Sequence, residues 1–386
     1  MNKVQVQEAL KKYTMIIVLV LVVAFFAWQT QGRILLPQNV NNLISQNAYV
    51  FILAAGMLLC ILTGGNIDLS VGSVVCFVGA VGGTIMVTWG MPVPLAILGM
   101  VVTGILIGVW QGFWIAYIRI PPFIVTLAGM LIFRGGANVI LAGRTIAPMP
   151  DAYLALFNTW IVDLFGGSGF NIFALVVGIV AVLIFVGMSV RGRIVRAKKG
   201  YENPGAIGFW VKLVLISAAI IAFMFRLAQF RGIPMVLIWV VVIILVYAYI
   251  TNKTTVGRHF YAVGGNEKAA ALSGINTNKV YFIAYVNMSF LAAVAGMAFT
   301  ARLNSANPTM GTGFELDTIA ACFIGGASAY GGIGTVPGVM VGAILMGVIN
   351  QGMSIMGVDA NWQQVVKGAV LLAAVIFDVV SKKKTI

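Results

Sequence analysis

The chain has 386 residues, of which 61% are hydrophobic and 9% charged. An ordinary soluble domain is about 45–50% apolar and about 25% charged, so this composition excludes a chain that covers itself with polar surface in water. The formal charge of +14 lies between apolar runs, which assigns it to loops facing anionic lipid and cytoplasm and argues against nucleic acid as a partner.

A hydrocarbon core takes about 20 apolar helical residues per crossing. Runs of this kind lie near 13–30, 43–63, 68–89, 92–117, 122–142, 168–190, 209–225, 234–251, 280–300, 314–330, 332–350 and 361–380. The expected fold is an all-α, polytopic transmembrane helical bundle filling residues 1–386 as one domain, with 10–12 segments. The range reflects Gly-rich pieces that suit broken or half-helices. The first run follows Lys11 and Lys12 and has no small-x-small cleavage site after Phe25-Phe26-Ala27-Trp28, so it reads as a retained anchor.

With the N-terminus inside, twelve crossings return the C-terminus inside. Sixteen of the 24 Lys and Arg residues then face the cytoplasm, from Lys3, Lys11 and Lys12 through Arg119, Arg191–Lys199 and Lys253–Lys279 to Lys382–Lys384. Five lie outside (Arg33, Arg144, Arg226, Arg231, Arg302), and Arg134, Lys212 and Lys367 fall within spans. The bias is the positive-inside pattern. The long polar stretches are 143–167, a basic cytoplasmic loop at 191–208 and a cytoplasmic loop at 252–279.

Glycines recur at four-residue spacing at Gly79 and Gly83, at Gly104, Gly108 and Gly112, and at Gly334, Gly338 and Gly342. Such stripes let helix backbones touch, within one protomer or along a seam between two. Cys60, Cys76 and Cys322 are dispersed in apolar runs and read as small buried hydrophobes, neither a disulfide framework nor a metal site.

Two segments have the composition of broken helices: Thr63 through Asp68 and Ser70 to Ser73, and Gly311-Thr312-Gly313 through Glu315 and Asp317 to Cys322. Each offers glycines for a turn, then a carboxylate or hydroxyl where a helix would begin. Irregular backbone at membrane depth persists only inside protein or along a wet cavity, so both are candidate parts of a solute path. Ionisable residues in spans are costly and functional by default. Asp68, Glu315 and Asp317 therefore stand as path candidates against simple helix capping, with Arg134 and Lys367 as counter-charges and Asp378 at the interface. Asn47, Asn304, Asn307 and Trp362 could line a path for a neutral polyol.

Enzymatic constellations are missing. The single histidine, His259, lies beside Arg258 in a basic loop, and there is no G-x-x-x-x-G-K-[ST] phosphate loop. The chain is expected to bind no cofactor or metal, and any ATP would be used by another subunit.

In the loop at 252–279, Asn266 reads as an N-cap, Glu267 suits the first turn, Ala269-Ala270-Ala271 propagate a helix and Gly274 stops it. The result is a stub of roughly two turns, about 10 Å long, which cannot stand alone in water and must dock on its own membrane domain or on a partner.

Gly257-Arg258, Gly264-Gly265-Asn266-Glu267, Ala269-Ala270 and Ser273-Gly274-Ile275 resemble the cytoplasmic loop of monosaccharide ABC-importer permeases, the ribose, galactoside and xylose systems. Ile67 to Ser73 is similar to a second signature of that family, and Glu315 to Cys322 with Gly325-Gly326 and Gly331 to Thr335 to a third. Pro122 to Met130, Phe133-Arg134-Gly135, the basic insert from Arg191 and Trp362-Gln363 look like the xylose or multiple-monosaccharide type. The sequence departs from the family in the extra Asn66 and in Lys268, where importers usually carry an acid.

The resemblance implies a multi-pass permease subunit in the cytoplasmic (inner) membrane, carrying a pentose or hexose between two permease copies. A sugar-binding protein would dock outside and an ABC ATPase inside. The stub would be the coupling helix, with Gly264, Gly265, Asn266, Glu267, Ala269, Ala270 and Gly274 forming the ATPase contact. The rival reading is an ion-coupled secondary transporter using Asp68 or Asp317 as its carrier carboxylate.

Overall fold

The computed structural model describes residues 3–383 apart from 168, 202 and 204, and the side chains of 15–380 apart from those three and Phe377. Its helices are α1 (Lys3–Gln29), α2 (Pro37–Leu62), α3 (Val71–Gly83), α4 (Val93–Ala116), α5 (Pro122–Leu141), α6 (Asp151–Phe157), α7 (Ile172–Lys198), α8 (Ala206–Ala228), α9 (Met235–Lys253), α10 (Thr255–Gly265), α11 (Glu267–Leu272), α12 (Thr277–Leu303), α13 (Phe314–Ile324), α14 (Val336–Ile355) and α15 (Ala360–Lys383). The described residues form no strand, only two isolated bridges. This is the expected all-α bundle.

Ten of these helices are long and apolar enough to cross a membrane, α3 counting with the π-turn that extends it through Thr88. The part of α1 whose side chains are described, Met15–Gln29, is an apolar helix of 10–17 residues. The expected span at 314–330 is not a full crossing. Helix α13 has 11 residues, about 16 Å at 1.5 Å per residue, against a hydrocarbon core of about 30 Å. Residues 304–313 lead into it as turns, and Gly325 and Gly326 end it. The apolar run simply outlasts the helix. The basic stretch expected as a loop from 191 is instead helical through Lys198. Arg and Lys end a hydropathic run, but they propagate a helix well.

Helix α2 is the axis of the bundle and is buried along most of its length. Helices α12, α13 and α14 pack round it. Gly104, Gly108 and Gly112 form a seam against α12: a Cβ on Gly104 would lie 2.5 Å from Ala293 Cβ, and one on Gly108 2.6 Å from Val286 Cα. Gly338 and Gly342 meet the Gly325 and Ala321 carbonyl oxygens in the same way. The stripes thus serve packing inside the protomer. Cys60, Cys76 and Cys322 are free and buried.

Helices α7 and α8 pair as a hairpin with a small core of their own, Ala174, Met224, Leu227, Ala228 and Ile233. At one end of the bundle the 142–171 segment meets the residues after α12 and before α9, through Ile146–Ala306 and Trp160–Pro234. The opposite end gathers the α2–α3, α4–α5 and α13–α14 loops beneath α10 and α11.

Candidate functional site

Two places concentrate polar chemistry. The first is the end built on α10 and α11. Thr254 caps α10 by accepting from Gly257 N at 3.1 Å, and Asn266 caps α11 by accepting from Ala269 N at 3.0 Å. Helix α11 closes as the sequence implies. Gly274 has φ +85°, its N–H donates to Ala271 O at 3.0 Å, and Ile275 N donates to Ala270 O at 3.1 Å. This pattern ends helices on a left-handed residue, which glycine adopts without a Cβ clash.

The stub is not alone, because α10 precedes it and brings it against the bundle. Gly264 lies so close to the α2 terminus that a Cβ would fall 1.7 Å from Leu62 O and 2.5 Å from Gly332 N. Tyr261 donates its hydroxyl to Gly334 O at 2.8 Å. Glu267 accepts from Arg119 Nη1 at 2.8 Å and from the Tyr281 hydroxyl at 3.1 Å. Partial burial pushes the Glu267 carboxyl up, but the Arg119 guanidinium and the Tyr281 hydroxyl outweigh it and hold the group below its ordinary range. Arg119 also binds Thr277 at 2.9 Å, and Asn278. Ala270 is buried, whereas Lys268, Ala269, Ala271, Ser273 and Gly274 are exposed and Leu272 is 91% exposed. One edge of the stub is fixed to its own bundle, and the rest projects.

The second place is the start of half-helix α13. Asp317, fully buried, accepts from Lys367 Nζ at 2.8 Å, from the Tyr49 hydroxyl at 2.5 Å and from Asn350 Nδ2 at 3.3 Å. Asn350 also donates to Asn47 Oδ1 at 3.2 Å. Tyr49 stacks on Phe314 with ring centroids 3.5 Å apart. Four helices, α2, α13, α14 and α15, thus converge on one carboxylate. Beside it, Glu315 is half-buried, and Arg134 donates to Pro308 O at 3.2 Å and Met310 O at 2.5 Å. Lys367 is a carboxylate's counter-charge, as the sequence suggests. Arg134 instead holds the carbonyls of the broken segment.

The six path candidates do not form one site. Asp68 and Ser70 lie at the start of α3 and are buried. Asp68 Oδ1 accepts from Ser70 N at 2.8 Å and Ser70 Oγ at 2.6 Å, and Ser70 in turn accepts from Gln111 at 2.6 Å. These bonds fix the turn ahead of α3 and tie it to Gln111 of α4. Asn304 is exposed at the far end and accepts from Met149 N at 2.8 Å, and Trp362 is 66% exposed in the first turn of α15. Asp68 and Ser70 share one location and Glu315 and Asp317 another, with Glu315 Oε2 2.7 Å from where a Cβ on Gly72 would lie. Asp378 is buried and accepts from Ala329 N at 3.1 Å, bracing the α13–α14 loop. Among the described residues no three His, Cys, Asp or Glu side chains gather as metal ligands. Lys3, Lys11, Lys12 and Lys382–Lys384 have side chains outside the described residues.

Sequence reasoning missed Tyr49, Asn350, Arg119 and Tyr261. A polar residue in an otherwise apolar span was the available signal for Asn350, and a lone cation in a tight interhelical loop for Arg119.

Comparison with known proteins agrees with this architecture. The chain is 37% identical over 376 residues to the xylose transport system permease protein of Escherichia coli K12, covering 97% of this chain and 93% of the relative. It is 37% identical to the Haemophilus influenzae protein of that name, covering 97% and 98%. To the ribose import permease protein of Escherichia coli K12 it is 34% identical, covering 88% and 85%. No solved structure matches the chain. The family profile described as branched-chain amino acid transport system / permease component matches residues 39–375. The protein is therefore a multi-pass membrane transport subunit rather than an enzyme, and it belongs to this permease family.

Proposed function

We propose that this chain is the membrane permease subunit of an ATP-driven monosaccharide importer of the xylose type, acting in the cytoplasmic membrane. The family description names branched-chain amino acids, but the relatives aligned over nearly the whole chain carry xylose and ribose names. The substrate reading follows those relatives. Two copies pair to enclose the solute path, a sugar-binding protein docks at the end holding the 142–171 segment, and a cytoplasmic ABC ATPase docks on α10 and α11. The chain itself uses no cofactor. Cation placement supports that orientation, because Arg119, Arg191–Lys199, Lys253, Arg258, Lys268 and Lys279 share the α11 end.

One observation carries the reading: a six-residue helix bolted by Glu267 to Arg119 presents Leu272 at 91% exposure. An apolar side chain so displayed on a fixed helix outside the spans fits a groove in a partner. The route from there is mechanical. Gly264 and Tyr261 bear on the α13–α14 loop, so displacing α11 pushes the end of α13, whose first turn carries Asp317 about 11 Å away. ATP-driven closure of the partner would thereby shift the half-helix and its clamp and open the path alternately to each side.

The test is co-purification with the cognate ATPase and uptake of labelled xylose and ribose. Leu272→Asp should abolish ATPase capture and uptake with no loss of thermal stability. Retained capture with normal uptake overturns the docking assignment. Xylose accumulation by the chain alone in liposomes, driven by an ion gradient, would favour the secondary-transporter reading.

A further inference from the structure

The α7–α8 hairpin has no part in the coupling end or the Asp317 clamp, yet it carries the strongest charge run of the chain. We propose that its basic end is a binding site for anionic phospholipid headgroups. This inference does not depend on which solute is carried.

The nine residues 191–199 hold five cations, Arg191, Arg193, Arg196, Lys198 and Lys199, and no acid. Their depth follows from helix length. Helix α7 has 27 residues, about 40 Å, which exceeds a hydrocarbon core of about 30 Å. Residues 172–190 carry no charge and account for about 28 Å of that rise. Arg191 therefore falls where hydrocarbon gives way to headgroups. Aromatic side chains mark the same layer, with Tyr201 63% and Trp210 52% exposed. Tyr and Trp concentrate at that depth because their rings are amphipathic. Lys212, exposed in the second turn of α8, has a stem long enough to reach the same level.

The angular distribution of charge distinguishes lipid from protein. At about 100° per residue, Arg191 and Lys198 lie on one side of α7, with Lys199 and Arg196 successively farther round. Arg193 turns toward α8, its guanidinium 4.9 Å from the Phe209 ring centre. The other four cations are exposed and fan over the arc that α8 leaves open. A docked protein covers one face of a helix. A headgroup layer surrounds it, and juxtamembrane cation clusters draw anionic lipid from such a layer.

The test is lipid retention by the full-length chain. Purified protein is equilibrated with equal amounts of phosphatidylglycerol and phosphatidylcholine in detergent, and retained lipids are counted by native mass spectrometry. Melting is followed in parallel. The native chain should enrich phosphatidylglycerol and melt higher in its presence. Arg191→Gln with Arg196→Gln, Lys198→Gln and Lys199→Gln should cut the enrichment by about fivefold or more and remove the melting shift. Arg191→Lys with Arg196→Lys should keep both effects. If the four-site variant folds poorly, Lys198→Gln with Lys199→Gln should still give a partial loss. Unchanged enrichment in the Gln variants overturns the proposal. So does unchanged lipid retention with loss of a co-purifying subunit, which would make this end a protein dock.

Discussion

Lys367 Nζ lies 2.8 Å from Oδ2 of Asp317, so a carboxylate without solvent exposure in half-helix α13 is neutralised from the last helix of the chain, 50 residues away. Helix α15 rests on the bundle mainly through α13, and the pair fixes the height at which it does so. Removing one partner of a buried pair typically costs about 3–5 kcal/mol, whereas replacing both by apolar groups is often neutral. Lys367→Met should therefore lower the melting temperature sharply in detergent, and adding Asp317→Leu should recover part of the loss. A double variant no more stable than the single one would show that the lysine does not act through the carboxylate.

The Asp317 clamp also shows where sequence reading stops. Helix α11 was legible to the residue, because Asn266 and Gly274 act on backbone groups within four positions. The broken helix at 311–317 was legible for the same reason, since glycines and acids at a helix start are local signals. Tyr49 meets Asp317 across 268 positions and Arg119 meets Glu267 across 148. No periodicity encodes such pairings, which are set only when the helices pack. The extent of α13 was misjudged because hydropathy continues past its last hydrogen-bonded turn.

Glu267 sets a pH dependence of definite sign. Its folded carboxyl titrates below the ordinary value of 4.5, so its contribution is complete above that value and is lost as pH falls through the lower folded one. The pair with Arg119 is 44% and 39% exposed, and such exposed pairs contribute at most ~1 kcal/mol. Glu267→Gln should melt slightly below the native chain at neutral pH, and the gap should close on acidification. Equal melting at every pH would mean that the ion pair adds nothing to stability.

Asp163 organises the approach to the α7–α8 hairpin. Its two oxygens accept from the backbone N–H groups of Phe165, Gly167, Ile172 and Phe173 at 2.9–3.1 Å. The last two are helix-start donors that have no partner inside the helix. Asp163→Ala should speed amide hydrogen exchange at Ile172 and Phe173, leave α11 unchanged, and do so more than Asp163→Asn, which keeps one acceptor oxygen. Exchange unchanged at those two amides would remove the capping role.

Adjacent glycines at the coupling end make the sharpest contrast. A Cβ at Gly264 would lie 1.7 Å from Leu62 O and 2.9 Å from Leu62 C, backbone atoms that cannot swing aside. At Gly265 nothing lies within 4 Å, and the residue has no left-handed backbone angle to preserve. Gly264→Ala must push α10 off the α2 terminus, at an overpacking cost of about 1–3 kcal/mol, and should reduce uptake in proportion to the misplacement of α11. Gly265→Ala should fold and transport as the native chain does. Alanine is the smallest side chain available, so a difference between the two variants measures the closeness of the backbones and little else. Equal transport by both would mean that α10 can lift from the bundle without disturbing α13, and the mechanical route from α11 to Asp317 would fail.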